Sequence, residues 1–365
     1  MPRLAARDTA PVGNGRTLAQ IYRRFGEVDA AKASPLYERI AIALSESVEA
    51  LRAIEAAQAR KRSPQLILAA LHDLTLAGRA PALAAAYAAA DGHAAAQAAI
   101  ETLIRMTDEV VAIVVRRKTR TNETGRGAVL YPAIAEAAHR TGAHAVGLID
   151  VGCSAGFNLN VDRVGITCSN GQSLGDPTSP VQLSASIVGG QPVPSRRMTE
   201  IVARIGVDLD PVDVTAADDA RWLRACLPPD QPWAAARLEA EMALAVADPP
   251  LLLRGDPVDV LPDAIARVPA DALPVITTTW ALSQLAPERR LRFLHRLEEA
   301  AAGRAVAWVS AEGVGVAPTI PTLGDRPASG HSIIGLAVVD QSAIRAEAVG
   351  RCWSRGRLLA WLANS

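Results

Sequence analysis

The chain has 365 residues, half of them hydrophobic, and its 38 Lys and Arg residues are balanced by 38 Asp and Glu residues. A formal net charge of zero predicts no large basic surface for binding nucleic acid or an anionic membrane. No apolar run in the sequence approaches the length needed to span a bilayer. The cysteines lie far apart without the Cys or His spacing of a metal site, so we expect a reduced, cytoplasmic, metal-free protein.

The length predicts about two domains, of which the first is helical. Residues 1–33 are mixed in character and predict a flexible segment with a short amphipathic piece. Ser34 and Pro35 then provide an N-cap and a proline at the first helical position, before apolar residues at helical spacing up to Leu51. Further helices are predicted at 64–76, from 81 to about 92, and at about 100–114. Together these segments predict an α-helical domain over 34–142.

A polar stretch ends this helical part of the chain. The basic run at 116–120 leads into Asn122, Glu123 and Arg126. One interpretation is a solvated helix end with an Asn or Thr cap for the next helix. The other is a loop that faces a ligand, because three strongly polar groups are costly to bury unless they are paired. The second interpretation makes Asn122, Glu123 and Arg126 catalytic or acceptor-pocket residues, with Glu123 as a possible general base.

From residue 143 the pattern changes to β-branched runs that alternate with helical segments, which is typical of a mostly parallel sheet. The first unit, over 145–160, reads as strand, tight turn and helix. Two runs at 166–169 and 181–188 predict an inserted β-hairpin, and two late runs at 333–339 and 344–349 predict a closing antiparallel pair. Other strands are predicted at 205–211, 251–256, 274–279 and 305–310.

The turn Gly152-Cys153-Ser154-Ala155-Gly156 is the first place to seek function. In an open α/β sheet ligands lie at the carboxyl ends of strands, where glycines and a helix N-terminus let backbone N–H groups approach them. A plain alternative is a glycine turn that only connects strand to helix. Acids at three strand ends, Asp150, Asp208 and Asp256, favour the ligand-binding interpretation.

With these acids, residues 143–365 resemble a class I S-adenosylmethionine-dependent methyltransferase. That family has an acid-x-Gly-x-Gly-x-Gly motif after its first strand, and residues 150–156 match it with Ser154 in place of the middle glycine. The resemblance implies that Asp208 binds the ribose and that Asp256 lies beside the adenine. It implies a Rossmann-like, methyltransferase-type domain whose S-adenosylmethionine contacts are Asp150, Gly152, Ser154, Gly156, Asn158, Asp208 and Asp256.

Nearly the whole chain also resembles a bacterial family catalogued as a domain of unknown function and common in actinobacteria. The resemblance rests on motifs spread along the sequence: 34–37, 121–126, 152–159, 175–177 and 206–211. It implies an architecture, an α-helical domain before the α/β domain, and carries no established reaction.

Three functions remain open. The first is methyl transfer from S-adenosylmethionine to a small-molecule acceptor, in which the rate comes mainly from orientation. The second is an α/β-hydrolase-type serine hydrolase with Ser154, Asp256 and His331, although everything before the nucleophile's strand is helical. The third is a non-catalytic Rossmann-like binding protein. A dinucleotide dehydrogenase is disfavoured because G-x-G-x-x-G is absent. We expect methyl transfer.

Overall fold

A computed structural model of the protein describes residues 16–120, 124–341 and 343–363. The chain forms two compact units, Met1–Thr121 with Ala216–Leu238, and Asn122–Thr215 with Glu239–Ser365. The first unit is helical and the second contains the sheet. The predicted division into an α-helical domain at 34–142 and a Rossmann-like domain at 143–365 stays a prediction.

The described helices fall mainly in the first half of the chain. The α-helices are α1 (Leu18–Arg24), α2 (Pro35–Glu46), α3 (Val48–Glu55), α4 (Pro64–Leu76), α5 (Pro81–Ala88), α6 (Gly92–Arg105), α7 (Thr107–Arg116), α8 (Gly127–Thr141), α9 (Ala217–Ala225), α10 (Pro232–Ala247), α11 (Pro257–Ala266) and α12 (Pro287–Ala301).

The helical unit begins earlier than the sequence predicts. Residues 18–24 were expected in a flexible segment, but they form α1, which Thr17 caps. Leu18 and Tyr22 are buried in the helical core, because the amphipathic piece presents one apolar face to α2. The single helix predicted through Leu51 is instead two helices. Ser47 has extended backbone angles and its side chain accepts the N–H of Ala50, so it ends α2 and caps α3.

The described part of the sheet unit has eleven strands. They are β1 (Ala145–Val151), β2 (Gly165–Cys168), β3 (Ser173–Gly175), β4 (Gln182–Ile187), β5 (Glu200–Asp208), β6 (Leu251–Arg254), β7 (Leu273–Thr279), β8 (Val306–Gly313), β9 (Ser332–Asp340), β10 (Ala343–Trp353) and β11 (Leu358–Trp361). Their order is β3-β2-β4-β11-β10-β9-β8-β7-β1-β5-β6. The protein is therefore an α/β protein with a helical N-terminal region and a mostly parallel mixed sheet.

Five neighbouring strands at one end of the sheet are parallel to one another. β1 pairs in parallel with β5 and β7, β5 with β6, and β7 with β8. In chain order these five strands have the spatial order 3-2-1-4-5, which is that of a Rossmann-like sheet. The order of the strands across the sheet reverses at β1, because β5 and β6 lie on one side of it and β7 and β8 on the other. That switch point is where ligands bind in open α/β sheets, and it is where the glycine turn lies.

The predicted β-hairpin is different in detail. The strands at 166–169 and 181–188 do pair, as β2 and β4, but they are parallel. The segment between them is long enough to return the chain to the same end, and within it β3 makes the antiparallel pairing with β2. These strands lie at one end of the sheet rather than inside it. The predicted closing antiparallel pair is present as β9 and β10.

Both faces of the central strands are covered. On β1, Leu148 packs in the cluster that contains α8, and its neighbour Ile149 packs in the cluster of α11 and α12. Successive strand residues point to opposite faces, so the helices cover both sides. The helix predicted after the glycine turn is a 3₁₀ segment, Phe157–Arg163, with non-helical angles at Asn160. The turn therefore has no α-helix N-terminus behind it.

Among the described residues, no single helix is long and apolar enough to cross a membrane. Only α4 and α5 taken together reach the required length and composition, and they are bent by 99°.

We expect Gly147→Ala to lower the free energy of unfolding by about 1–3 kcal/mol, through overpacking under β1. A Cβ at this glycine would lie 2.2 Å from Cγ1 of the buried Val268. Urea unfolding measures the effect. The control is Gly190→Ala, where an added Cβ has no neighbour within 4 Å. Equal stability of the two variants would contradict the close packing of β1.

Candidate functional site

Asp150 lies near the carboxyl end of β1 and is 1% exposed. Its carboxylate accepts hydrogen bonds from Thr277 Oγ1 at 2.7 Å and from Asn158 Nδ2 at 3.1 Å. Burial raises the pKa of Asp150 to about 6, against the stabilising effects of Thr277, Arg126 and Asn158 on the charged form. The site thus contains a carboxyl group that can change protonation near neutral pH.

The glycine turn follows β1 directly. Gly152, Ser154 and Gly156 all have positive φ, of 76°, 52° and 75°. Gly152 is exposed, and a Cβ on it would lie 3.0 Å from Cβ of Ala281, which follows β7. A left-handed backbone favours glycine at all three positions. Because Gly152 has no side chain, the turn can approach the loop after β7 this closely.

Asp208, at the end of β5, holds the glycine turn. Its Oδ2 accepts the backbone N–H of Ser154 at 2.9 Å, and its Oδ1 accepts the N–H of Asp210 at 2.8 Å. The side chain is half-buried. Each carboxylate oxygen has a second lone pair, so Asp208 can accept further hydrogen bonds from a ligand.

Asp256 lies after β6 and begins α11. Its carboxylate accepts the N–H of Val258 at 2.9 Å and pairs with Arg289. These contacts make Asp256 a helix N-cap with a basic partner. Its predicted place beside an adenine ring stays a prediction.

Arg126 comes just before α8 and reaches the end of β7. Its Nη1 donates to Thr279 Oγ1 at 3.1 Å, and its guanidinium lies 5.2 Å from the ring centroid of Trp280. Its positive charge opposes the rise that burial causes in the pKa of Asp150 and of Glu312. Arg126 therefore brings a positive charge to this crevice. Asn122 and Glu123, its predicted catalytic companions, lie outside the described residues.

Sequence reasoning missed two residues of the site. Trp280 has a φ of 55°, which is rare for a bulky side chain, and its indole N–H donates to Ser332 Oγ at 2.8 Å. Glu312 is the second-last residue of β8 and is 1% exposed. A left-handed backbone at a bulky residue such as Trp280 is strained, and such strain clusters at binding and active sites. An acid or an aromatic residue just after a predicted strand was the available signal.

Glu312 fixes the loop after β7. Its Oε1 accepts the N–H groups of Ala281 at 2.9 Å and Leu282 at 3.0 Å, while its Oε2 is buried without a hydrogen-bond partner among the described residues. Burial raises the pKa of Glu312 to about 7, although these backbone N–H groups and Arg126 favour the charged form.

The residues of the predicted hydrolase triad do not bond to one another. Ser154 Oγ has no hydrogen-bond partner among the described residues. His331 Nε2 lies 2.9 Å from Asp325 Oδ2, and Asp256 is engaged with Val258 and Arg289. Nucleophile, base and orienting acid are recognised by their mutual hydrogen bonds, and those bonds are not formed here.

A glycine turn at the switch point of a 3-2-1-4-5 sheet defines a Rossmann-like α/β protein. Over residues 19–361 the chain matches a bacterial family described as "Uncharacterized protein conserved in bacteria (DUF2332)", and it belongs to that family. No curated protein and no solved structure matches the chain. The predicted membership of an uncharacterised bacterial family is thereby confirmed, whereas its actinobacterial distribution and the resemblance to methyltransferases stay predictions.

We expect Glu312→Gln to remove a pH dependence of stability. Because the folded pKa is raised, the folded state holds more protons than the unfolded state between the ordinary value of 4.5 and about 7. The free energy of unfolding therefore falls as pH rises through this window. The variant should equal the wild type near the lower limit and exceed it by about 1–3 kcal/mol above the upper limit.

Urea unfolding at a series of pH values measures this difference. Glu288→Gln, at an exposed position of α12, is the control and should show a difference that does not change across the window. A constant difference for Glu312→Gln as well would count against a raised pKa.

We expect Ser154→Gly to raise the free energy of unfolding by up to about 1 kcal/mol, because glycine adopts the left-handed backbone without strain. The substitution also removes a buried hydroxyl that has no hydrogen-bond partner among the described residues. Ser184→Gly in strand β4 is the control, and it should destabilise, since an exposed strand position loses stability with glycine. Thermal unfolding measures whether each substitution raises or lowers the stability of the protein.

Proposed function

We propose that the protein transfers a methyl group from S-adenosylmethionine to a small-molecule acceptor. One observation carries the proposal. The carboxylate of the second parallel strand, Asp208, hydrogen-bonds to the glycine turn of the first strand at the sheet's switch point. In Rossmann-like proteins this junction binds a nucleoside, with the strand-end acid on the ribose hydroxyls.

The residues at the junction fit such a group. Gly152 is exposed, and because it has no side chain a ligand can approach its backbone closely. Asp208 retains acceptor lone pairs for the two hydroxyls of a ribose. Asp150 provides a carboxyl group next to the turn, which suits the ammonium group on the amino acid part of the cofactor. Gly156 and Ser154 complete the proposed cofactor contacts, with Asn158 acting through Asp150.

When bound, the cofactor supplies an activated methyl group on a sulfonium sulfur. The acceptor's lone pair forms the new bond to the methyl carbon, and the electron pair of the broken bond stays on sulfur. The chain's part is to orient the acceptor and exclude water. We assign this part to Arg126, which is fixed by Thr279 and Trp280, together with Asn122 and Glu123. Glu123 is the proposed base that takes a proton from a neutral acceptor.

Two further contacts support this proposal over the serine hydrolase. Ser154 donates its backbone N–H to Asp208, so the residue is used as part of the turn. His331 is paired with Asp325 and stacks near Trp353, with ring centroids 5.4 Å apart.

We expect calorimetry to detect binding of S-adenosylmethionine and of S-adenosylhomocysteine by the wild-type protein. Asp208→Asn should weaken binding by about 10–100-fold, because a hydrogen bond to a charged group contributes about 1.5–3 kcal/mol. Gly156→Val should abolish it, because φ is 75° and an added Cβ would lie 3.1 Å from Pro250 Cγ.

Gly171→Val is the matched control for the backbone strain. It has a φ of 85° and open space around an added Cβ, and it lies in the turn between β2 and β3. Its cofactor affinity should equal that of the wild type. Absence of binding by the wild type, or unchanged affinity in Asp208→Asn, would rule out this cofactor site.

A further inference from the structure

A groove of ≈ 400 Å³ lies within the helical unit. Its lining comes from α1, from the turn that follows α1, and from residues 59–65, which lead into α4. The volume is that of a site for a small organic molecule. The glycine turn and the strand-end acids of the sheet unit do not contribute to this groove.

The charges in the groove are unbalanced. Its described lining includes four arginines, Arg16, Arg24, Arg60 and Arg62, against one acid, Asp29. Among the described residues, the guanidinium groups of Arg16, Arg24 and Arg60 form no ion pair or hydrogen bond, and Asp29 forms no ion pair. The groove therefore has an excess of positive charge, and a cleft lined by one sign of charge attracts ligands of the other.

Arg62 is held in place without losing its charge. Its Nε donates to the carbonyl oxygen of Ala57 at 2.8 Å, and its Nη2 donates to that of Glu55 at 2.8 Å. The carbonyl oxygen of Arg62 accepts the hydroxyl of the buried Tyr22 at 3.2 Å. Because these partners of the guanidinium are neutral carbonyl groups, its other N–H donors remain positively charged, and they are oriented before a ligand binds.

The groove also has an apolar wall. Leu18, Ile21 and Phe25 of α1 and the next turn contribute to it, together with Pro64 at the start of α4. Ile21 is partly exposed. Phe25 begins a π-helical turn, Phe25–Asp29, and turns of this rare kind lie frequently at functional sites. A ligand in the groove would thus contact cations and an apolar surface together.

We propose that this groove binds a small organic anion with an aliphatic body. Its carboxylate or phosphate group would lie on the arginines, since guanidinium groups bind both anions through paired N–H donors, and its chain would lie on the apolar wall. An inorganic anion would leave that wall in water, and a neutral lipid would leave the arginines without a counter-charge. Residues 1–15 contain Arg3, Arg7 and Asp8, so this segment has no excess of negative charge to offer the groove. The proposal does not rest on the proposed function.

Calorimetry of the full-length protein with hexanoate and with hexyl phosphate tests the site and distinguishes the two anionic groups. The matched neutral and cationic probes are 1-hexanol and hexylamine. We expect one or both anions to bind, 1-hexanol to bind at least about tenfold more weakly, and hexylamine not to bind. From acetate to hexanoate, affinity should rise by up to about fourfold for each methylene that is buried. Added salt should weaken the binding of the anions, because it screens exposed charges.

The double variant Arg24→Gln with Arg60→Gln should weaken hexanoate binding by about tenfold or more, because two charge-assisted contacts are lost, and should leave 1-hexanol binding unchanged. The control is Arg52→Gln with Arg105→Gln. These two residues lie at exposed positions of α3 and α6 outside the lining of the groove, and their substitution removes the same total charge. Hexanoate affinity should stay within about twofold of the wild type in this control.

Equal affinity for hexanoate and 1-hexanol would overturn the anion site, and equal affinity for acetate and hexanoate would overturn the role of the apolar wall. Absence of binding by both anions at millimolar concentration would overturn the whole proposal. An equal loss of affinity in the double variant and its control would do the same, because it would show a general effect of net charge. A crystal structure with hexanoate bound only outside the groove would also contradict it.

Discussion

The hydrogen bond from the Ser154 N–H to the Asp208 carboxylate is the contact on which the candidate site depends. It joins the turn after β1 to the end of β5, and a second oxygen of the same carboxylate orders the chain at Asp210. A charge-assisted bond of this kind is strong enough to hold Ser154 at a φ of 52° against the preference of its side chain. Through it, an acid that can bind a ligand also shapes the turn around that ligand.

The crevice next to this turn combines two buried carboxyl groups and one cation. Burial raises the pKa of both Asp150 and Glu312, and Arg126 opposes that shift in each. Such an arrangement lowers the stability of the protein, and it is typical of binding and active sites. Trp280, with its left-handed backbone beside Arg126, adds local strain at the same place.

Asn158 donates a hydrogen bond to Asp150 and also lines a small cavity together with Asn160. The 3₁₀ segment makes this possible. In an α-helix residues 158 and 160 would point in nearly opposite directions, whereas the irregular backbone at Asn160 brings both asparagines to the cavity.

The sequence by itself determined the type of most elements, since period-3.6 and period-2 apolar patterns depend on local burial: α4 and β7 have nearly their predicted bounds. It also located the glycine turn and Asp150. Tertiary structure decided what no local pattern encodes. The parallel pairing of β2 with β4 depends on where a long connection returns, and Ser47 splits a helix through a side-chain bond. Glu312 and Trp280 are far from Asp150 along the chain. They lie at the site because β7 pairs with β1 and β8 pairs with β7 in the sheet.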